Sequence, residues 1–544
     1  MSGHSPDANP SAIRIENRIL LAIFLVAWLV HALLAWPTIG GTGITWDEAF
    51  YYPTFVDVRI WLLTLFSDPL HAISNQGVKE GWASINELPP LLKFLTAPLT
   101  LIPVDGWARL GVVRMLPALL FPATSVLVYL SIRRFTGILP ASVGAIAWYT
   151  HPVLAGHGQL ASAETLVSFL VALLIYVALL QPDGRRAWLL LGLVAGLGVA
   201  TKANGIITIS ALSTWLLIGH LLDQRQRSLH GFLPPAGRVK AALLIPIGAV
   251  AILFLLWPWF WHNVGQRPLE YWRFVVDHPA WGVWYQGELW NRGRPPVPPS
   301  YVFVMPFLVT PISLLLLFWL GVLGAAWRSI CQRHVDRRRA LIAAIFLSSL
   351  LAAAMPATPR YDSIRLFMPA FVAACIIGAV GLGDLLVLLR RRGIRSVWIP
   401  RGFLLIALLS LFSLPNIDYY NRLYRSTVRS ESIFPMEATY WCNLINPTFA
   451  RELPEHVPPG ARIKTLALQV DALLLLQDWG VIDPNYSFTG APPYDAHLMQ
   501  NRKGFWSPTE WMFYAEKVPL ATWGEAPNGE PLLILYDGRH PRDR

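Results

Sequence analysis

The sequence is poor in charged residues and in cysteine. Charged residues make up only 14% of its 544 residues, whereas soluble proteins carry about 25%. Hydrophobic residues reach 54%, and the mean hydropathy is +0.45. This composition excludes an ordinary soluble globular protein and predicts a polytopic membrane protein.

The scarcity of cysteine argues against two kinds of site. The three cysteines are Cys331, Cys375 and Cys442. They are scattered, so no pair has the spacing of metal ligands, and a disulfide framework is not expected. His71, His262 and His278 also lack the partner spacing of a zinc site. The sequence therefore predicts no metal site.

The net charge of +11 is unevenly distributed. Basic clusters occupy every second gap between apolar runs, and cytoplasmic loops of membrane proteins carry such an excess of lysine and arginine. The clusters are Arg14 and Arg18; Arg133 and Arg134; Arg185 and Arg186; residues 225–240; residues 328–339; and Arg390, Arg391, Arg392 and Arg395. Because membrane topology accounts for this charge, we expect no nucleic-acid partner, and we expect the N-terminus to be cytoplasmic.

The apolar runs predict an α-helical polytopic membrane protein with about 11 transmembrane helices. The predicted spans are 19–36, 108–131, 138–153, 164–180, 187–201, 204–222, 241–262, 303–326, 340–355, 366–389 and 403–416. Residues 1–18 are predicted to be a disordered cytoplasmic N-terminus. Residues 19–416 then form the membrane domain, with long outer loops at 37–107 and 263–302.

The last part of the chain, residues 417–544, is more polar. The segment LPEHVPPGARIKTLALQVDALLLLQDWGV predicts a turn, a strand and a helix, and PLLILYD predicts another strand. We therefore expect a small C-terminal α/β domain, which an odd number of spans places on the extracytoplasmic side. The arginine-rich inner loops and the lack of disulfides favour a bacterial inner membrane, with this domain in the periplasm.

The predicted outer face collects acidic, basic and aromatic residues. The candidates are Asp47, Glu48, Glu87, Lys93, Arg109, Arg114, His157, Glu164, Lys202, Arg360, Tyr361, Asp362 and Arg365. Charges in or beside membrane spans are costly and usually functional. Their common side and depth suit the headgroup of a lipid-linked anionic substrate.

The order of several short motifs resembles the family 39 glycosyltransferases of the glycosyltransferase C superfamily. The motifs are WDE (46–48), ELPPLLK (87–93), RLGVVR (109–114), HPVLAGHGQLASAE (151–164), GLGVATKANG (196–205), YDSIRLFMPAF (361–371) and IDYYNRLY (417–424). The family includes protein O-mannosyltransferases and bacterial relatives that modify lipid A. The resemblance covers about residues 20–425.

The resemblance implies an enzyme that moves a sugar from a polyprenyl-phosphate carrier to a glycan, lipid or protein acceptor at the periplasmic face. It implies Asp47 as the general base and Glu48 as its acceptor-positioning partner. A phosphate leaving group needs cations, and we expect Lys93, Arg365 and Arg114 to bind the donor phosphate. The predicted lining residues are Glu87, His157, Glu164 and Tyr361. No cofactor is required by this chemistry, although the superfamily includes metal-dependent members.

Two positions depart from the pattern of close relatives. Leu88 stands where many relatives have histidine before the double proline, which removes a candidate metal or phosphate ligand. Glu164 stands where many have aspartate, which keeps the charge and moves it by one methylene. These departures put in doubt any role transferred to either position.

Other interpretations remain open at this point. Asp47, Glu48 and Glu87 could cap helices, Lys93 and Arg109 could be interfacial cations, and Arg114 and His157 could have structural partners. At the level of the whole chain, the alternatives are a lipid or sugar transporter and a non-catalytic membrane assembly subunit. Transporters usually show inverted repeats and charges near the bilayer midplane, whereas this sequence shows no repeat.

Overall fold

The computed structural model of the protein describes residues 10–538 except 181–183, 226–234, 280, 292–294, 332–335, 357, 395–397, 410–415, 421–434, 442 and 527–528. Most of the described residues lie in α-helices, and two small β-sheets accompany them. The predominantly helical architecture predicted from the composition is confirmed.

The helices follow one another along the chain. They are α1 (Pro10–Ala35), α2 (Pro37–Gly40), α3 (Trp46–Ser67), α4 (Pro69–Ile73), α5 (Asn75–Trp82), α6 (Pro90–Thr96), α7 (Trp107–Arg133), α8 (Ile138–Tyr149), α9 (Pro152–His157), α10 (Ala163–Leu180), α11 (Gly184–Val199), α12 (Gly205–Arg225), α13 (Pro235–Leu256), α14 (Arg267–Val276), α15 (Tyr301–Val309), α16 (Ile312–Cys331), α17 (Arg337–Ala354), α18 (Pro369–Arg391), α19 (Trp398–Leu409), α20 (Pro447–His456), α21 (Val470–Asp478) and α22 (Pro508–Glu516). Short 3₁₀ turns occupy Ala97–Leu101, Pro258–Trp261, Arg365–Phe367 and Lys503–Phe505.

Every predicted span overlaps a helix in this order. Among the described residues, four helical stretches are long and apolar enough to cross a membrane by length and composition: Arg14–Ala35, Trp107–Arg133, Ala163–Leu180 and Pro369–Arg391. The span predicted at 303–326 is divided into α15 and α16 by Pro311, because proline lacks the N–H that a continuous helix needs.

The N-terminal boundary differs from the prediction. Helix α1 begins at Pro10, so the last part of the segment predicted to be disordered is helical. Residues 1–9 lie outside the described part of the chain. Residues 10–18 therefore belong to the first helix.

The first outer loop folds mainly into helices, and α3 begins within the motif that contains Asp47. Thr45 precedes α3, and the carboxylate of Glu48 accepts hydrogen bonds from the Thr45 backbone N–H (3.1 Å) and hydroxyl (2.8 Å). This capping box satisfies donors at the helix start. It fixes the first turn of α3, and with it the backbone of Asp47.

The second outer loop contains a tight hairpin. Strand β1 (Val283–Tyr285) pairs antiparallel with β2 (Glu288–Trp290). The two turn residues have positive φ, 55° at Gln286 and 80° at Gly287. That conformation is typical of the two-residue turns that match the twist of paired strands.

The C-terminal region contains a four-stranded sheet of order β3–β4–β6–β5. Its strands are β3 (Ile463–Leu466), β4 (Ala496–Gln500), β5 (Ala521–Glu525) and β6 (Pro531–Asp537). Strands β3 and β4 are parallel, and β6 is antiparallel to both β4 and β5. The strand, helix and strand predicted for this region are present as β3, α21 and β6.

Ion pairs join helix ends at the end of the bundle that is predicted to be cytoplasmic. Glu16 near the start of α1 pairs with Arg133 at the end of α7 (2.8 Å). Arg328 in α16 and Arg339 in α17 both pair with Asp384 in α18. The acidic and aromatic candidates listed above lie at the other ends of these helices. Neighbouring helices thus alternate in direction, as the predicted topology requires.

Candidate active site

One arginine lies among three carboxylates. The guanidinium of Arg365 donates from Nε to Glu164 (2.6 Å), from Nη1 to Asp362 (2.9 Å) and from Nη2 to Asp47. Only 9% of the Arg365 side chain is exposed, against 1% of Glu164 and 13% of Asp47. Charge-assisted pairs in such a sheltered setting are strong and directional. The structure therefore brings the predicted base together with one predicted phosphate-binding cation.

Each of these side chains stands at an end of a helix. Asp47 is the second residue of α3 and Glu164 is the second residue of α10, while Arg365 lies in the turn just before α18. Acidic side chains are favoured at helix N-termini, where unpaired N–H groups give a partial positive charge. The local sequence thus places the two acids at this end of the bundle.

Lys202 joins the cluster from the segment that follows α11. Its ammonium pairs with the Glu164 carboxylate, and 21% of its side chain is exposed. Glu164 Oε1 therefore receives both Lys202 and Arg365, whereas Glu164 Oε2 is buried without a hydrogen-bond partner in the described part of the chain. Lys202 is the more exposed of the two cations and can turn toward a bound anion.

Aromatic rings enclose one side of the cluster. The Arg365 guanidinium lies 4.6 Å from the centre of the Trp441 ring, and His157 meets that ring edge-on at 5.2 Å. Burial lowers the pKa of His157 to about 3, so the imidazole is neutral. Tyr361 stacks against His278 with a ring separation of 5.8 Å. The predicted lining residues His157 and Tyr361 thus lie around the cluster.

The carboxyl group of Asp47 has an unusual electrostatic setting. Burial raises its pKa to about 6, and the nearby Glu164 and Asp362 act in the same direction. Arg365 and Lys202 oppose this shift. The group is therefore mostly ionised at neutral pH, yet more basic than an ordinary aspartate. In the described residues, its Oδ2 atom is held by Arg365 and its Oδ1 atom has no hydrogen-bond partner.

Glu48 and Arg114 form a separate, closed pair. Arg114 donates from Nε and Nη2 to the two Glu48 oxygens, both at 2.7 Å. Its remaining N–H groups reach backbone carbonyls, those of Gly43 (2.6 Å), Thr42 (2.8 Å) and Ala35 (3.3 Å). Arg114 is 0% exposed and Glu48 is 1% exposed. Arg114 thus has no donor left for a phosphate, and the geometry favours a positioning role over the predicted phosphate-binding role.

The pair links three parts of the chain. Glu48 Oε1 also accepts the backbone N–H of Ala161 at 2.9 Å, just before α10. Glu48 is therefore bonded to the start of α3, to α7 and to the segment that carries Glu164. Both carboxylate oxygens of Glu48 are therefore engaged within the chain, and this geometry favours a structural role beside Asp47.

Lys93 is buried outside the Asp47 cluster. Its ammonium donates to the carbonyls of Ile85 (2.8 Å) and Ser84 (3.3 Å) and lies 5.8 Å from the Trp82 ring centre. Burial lowers its pKa to about 7, and the nearby Glu87, which is exposed, opposes this shift. Within the described residues, neither Lys93 nor Glu87 forms an ion pair with the Asp47 cluster.

An apolar groove of about 560 Å³ runs between α8 and helices α15 to α18. It follows α18 from Ala370 to Gly381, a length of about 16 Å at 1.5 Å per residue. Its polar lining is confined to His151, Thr310 and Arg339. The side chains at its lateral opening are each more than half exposed: Phe303, Phe307, Trp319 and Leu347. The groove begins five residues after Arg365 in the chain, and the exposed part of its lining is apolar.

The carboxylates of the cluster are turned toward a cation and not toward one another. No group of three or more His, Cys, Asp or Glu side chains in the described ranges is placed to hold a metal ion. The carboxylates of Asp47, Glu164 and Asp362 instead face Arg365. The chemistry available to the cluster is that of a carboxylate base surrounded by cationic side chains.

Four residues of the site were not assigned to it from the sequence. Lys202 and Asp362 were expected at the outer face, but the sequence assigned neither of them a role. Trp441 and Arg502 lie beyond the motifs, and no local pattern identifies them. Arg502 reaches Asp362 across 140 positions of the chain, a contact that no local sequence pattern predicts.

The chain is similar to known glycosyltransferases. Residues 87–261 match the sequence model of the family described as dolichyl-phosphate-mannose-protein mannosyltransferase. The chain is 30% identical over 298 residues to the undecaprenyl phosphate-alpha-4-amino-4-deoxy-L-arabinose arabinosyl transferase of Pseudomonas aeruginosa. That alignment covers 52% of this chain and 47% of the relative, so it spans about half the length of the relative.

Solved structures with a similar shape include ArnT from Cupriavidus metallidurans and the Pmt1–Pmt2 complex of S. cerevisiae. The ArnT similarity covers 97% of this chain and 98% of ArnT, with 14% identity and a TM-score of 0.48. The Pmt1–Pmt2 similarity covers 46% of this chain and 34% of the matched chain, with 17% identity and a TM-score of 0.33. The resemblance to the family 39 glycosyltransferases that the motifs predict is confirmed by the family match over residues 87–261.

Proposed function

We propose that the protein is a membrane glycosyltransferase that moves a sugar from a polyprenyl-phosphate carrier to an acceptor hydroxyl. The observation that carries this proposal is the Asp47–Arg365–Glu164–Lys202 cluster, which combines a basic carboxylate with two cations. The family match and the name of the Pseudomonas aeruginosa relative support the same donor class.

Asp47 is the proposed general base. Its Oδ1 atom accepts the proton of the acceptor hydroxyl as the acceptor oxygen attacks the anomeric carbon of the sugar. The bond between that carbon and the phosphate oxygen breaks, and its electron pair stays on the phosphate. The carrier phosphate thereby changes from one negative charge to two, and the proton remains on Asp47.

Arg365 and Lys202 are the proposed partners of the phosphate. Charge develops on the leaving phosphate in the transition state, and prearranged cations stabilise that charge. Glu164 holds both cations at one point, which fixes them before the donor arrives. Lys93 remains a candidate from the sequence, and in the structure it is buried and donates to the Ile85 and Ser84 carbonyls. No metal ion takes part in the proposed step.

The Glu48–Arg114 pair is proposed to position the base. Because every N–H of Arg114 is already used, the pair cannot change partners when substrate binds. It ties the first turn of α3 to α7 and so keeps Asp47 at a fixed distance from Arg365. We assign neither residue a direct contact with donor or acceptor.

The apolar groove is the proposed site for part of the polyprenyl chain. Its lining is apolar along about 16 Å of α18. The first lining residue on α18 lies five residues after Arg365, and several lining side chains are apolar and exposed. A carrier lipid entering from the bilayer would therefore place its phosphate near Arg365. His151 and Thr310, which are 3.2 Å apart, supply polar contacts in the wall.

The proposed setting is the inner membrane of a bacterium. Eleven spans, a cytoplasmic N-terminus and a periplasmic C-terminal α/β domain fit the alternating directions of the helices and the basic clusters. In this arrangement the Asp47 cluster faces the periplasm. The sugar and the acceptor, whether glycan, lipid or protein, are left open.

The proposal is tested with the purified full-length chain in lipid nanodiscs. Radiolabelled undecaprenyl-phosphate hexoses and pentoses serve as donors, and a bacterial glycolipid extract and a protein extract serve as acceptors. Asp47→Asn is expected to keep the fold and to lower transfer by at least about a hundredfold. Asp105→Asn is the matched control, because the Asp105 side chain is 99% exposed in the same outer loop.

Two results would refute the proposal. One is normal transfer by the Asp47→Asn variant at an unchanged melting temperature. The other is movement of labelled lipid across the membrane with no covalent product, which would favour the transporter interpretation.

A further inference from the structure

Arg502, from the C-terminal region, is bonded to the same carboxylate as Arg365. Asp362 accepts from Arg365 Nη1 on Oδ2 at 2.9 Å and from Arg502 Nη2 on Oδ1 at 2.8 Å. The side chains of Asp362 and Arg502 are each 5% exposed. Arg502 therefore belongs to one continuous network with Asp47, although the chain reaches it only after the whole membrane domain.

The charges of this network cancel only when Arg502 is counted. Its carboxylates are Asp47, Glu164 and Asp362, and its cations are Arg365, Lys202 and Arg502. Without Arg502, three negative groups would face two positive ones in a largely buried space. Buried unpaired charge is costly, and a neighbouring group moves or takes up a proton to relieve it.

An uncompensated Asp362 would compete directly with the donor phosphate. Asp362 would draw Arg365 toward itself, and its negative charge would repel a phosphate bound beside Arg365. The repulsion would be greatest after transfer, when the carrier phosphate has two negative charges instead of one. Arg502 thus acts on the reaction through Asp362 and Arg365, without touching substrate.

The segment around Arg502 is fixed from several directions. Arg502 Nη1 donates to the Tyr440 carbonyl at 2.8 Å, and its guanidinium lies 4.1 Å from the Phe505 ring centre and 5.0 Å from that of Trp46. The Trp46 indole donates to the Gln500 side chain at 3.3 Å. Trp46 immediately precedes Asp47. The segment that contains Gln500 and Arg502 therefore contacts the network both next to Asp47 and at Asp362.

We infer that Arg502 is a positioning residue of the active site, which neutralises Asp362 so that Arg365 is available to the carrier phosphate. This inference rests on the proposed function and assigns the C-terminal region a part in donor binding. Two more buried acids, Asp418 and Glu437, lie within electrostatic range of Arg502.

The experiment compares binding of two probes to the full-length chain in nanodiscs. Undecaprenyl phosphate carries two negative charges near neutral pH, and its methyl phosphodiester carries one. Arg502→Met is expected to weaken binding of undecaprenyl phosphate by about tenfold or more, and to weaken binding of the phosphodiester less. Lys503→Met is the matched control, because Lys503 is the next residue and pairs with Glu530 outside the network.

A double variant separates a charge effect from a structural effect. Arg502→Met with Asp362→Asn restores neutrality, so binding of undecaprenyl phosphate is expected to recover to within about threefold of the wild type. If Arg502 only held the fold together, the second substitution would add to the damage. Should Arg502→Met fail to fold, the double variant is compared with Asp362→Asn alone. Comparable affinities are expected, because Arg502 acts through Asp362, and a double variant that binds undecaprenyl phosphate about tenfold or more weakly than Asp362→Asn would overturn the inference.

The pH dependence of transfer gives a second readout. Arg365, Lys202, Glu164 and Asp362 face Asp47. Loss of Arg502 leaves the Asp362 charge unbalanced, so the acidic limb of the rate is expected to move to higher pH. Equal behaviour of Arg502→Met and Lys503→Met in both assays would overturn the inference. A wild-type chain that binds neither probe would instead refute the proposed function.

Discussion

Replacement of Arg114 by lysine tests whether the closed pair positions the base or binds phosphate. Arg114 makes five hydrogen bonds, two to Glu48 and three to backbone carbonyls. Lysine keeps the charge but offers only three N–H groups, so at least two of these bonds are lost. A hydrogen bond to a charged group contributes about 1.5–3 kcal/mol, and the expected loss in free energy of unfolding is about 3 kcal/mol or more.

The assay measures stability and donor affinity on the same samples. Unfolding in mixed micelles at increasing SDS is followed by tryptophan fluorescence, and transfer is measured at temperatures where the variant remains folded. Arg109→Lys is the control on the same helix, because Arg109 pairs with an almost fully exposed Asp105. A surface pair of this kind contributes about 0–1 kcal/mol, so the control is expected to unfold like the wild type.

The two roles of Arg114 predict opposite outcomes. A positioning residue gives a large loss of stability and a KM for the donor within about threefold of the wild type, because no N–H of Arg114 faces the donor. A phosphate ligand gives a normal stability and a KM raised by tenfold or more. The second result would refute the assignment made from the closed geometry and restore the role expected from the sequence.

Two further predictions concern the Asp47 cluster. Transfer is expected to fall about tenfold per pH unit below about pH 6, because burial raises the pKa of Asp47 to about 6 and only the ionised carboxylate accepts a proton. Because the pKa of Asp47 is raised in the folded state, protonation of Asp47 stabilises the folded state as the pH falls. Circular dichroism should therefore show no unfolding caused by this group. A transfer rate that stays constant down to pH 5 would contradict the assignment of Asp47 as the base. Lys202→Met should raise the KM for the donor about tenfold, because Glu164 would then pair with Arg365 alone and hold it away from the phosphate. Lys79→Met is the control and should leave KM unchanged, because Lys79 is an exposed cation of the outer loop that contains Asp47. Equal KM values in both variants would count against Lys202.

The sequence predicts well those features that depend on the periodic recurrence of apolar and basic segments. Apolar runs give the helices, and alternating basic clusters give their directions, because both signals are local and repeat along the chain. The same reasoning collected Asp47, Glu164 and Arg365 at one face. It could not predict that these three side chains touch, since their separation in the chain exceeds 100 residues.

The sequence predicts poorly how the charges pair. Glu48 is adjacent to Asp47, and the two acids look equivalent in the motif. In the folded chain they point into different networks, Glu48 toward Arg114 and Asp47 toward Arg365. Adjacent residues at the start of a helix are about 100° apart around its axis, so neighbours in sequence face different partners. Arg114 was expected at the phosphate for the same reason, because its charge is visible in the sequence and its partner is not.

The network also changes what a truncation experiment can mean. Deletion of the chain after about residue 425 would ordinarily test whether the C-terminal region is accessory to activity. It would, however, remove Arg502 together with Trp441, whose ring lies against Arg365. Asp362 would then be left with Arg365 alone, and the cluster would hold one negative charge in excess. Loss of activity on truncation would follow from this imbalance even if the C-terminal region had no contact with an acceptor. Only point substitutions that keep the sheet intact can separate recognition of the acceptor from neutralisation of the site.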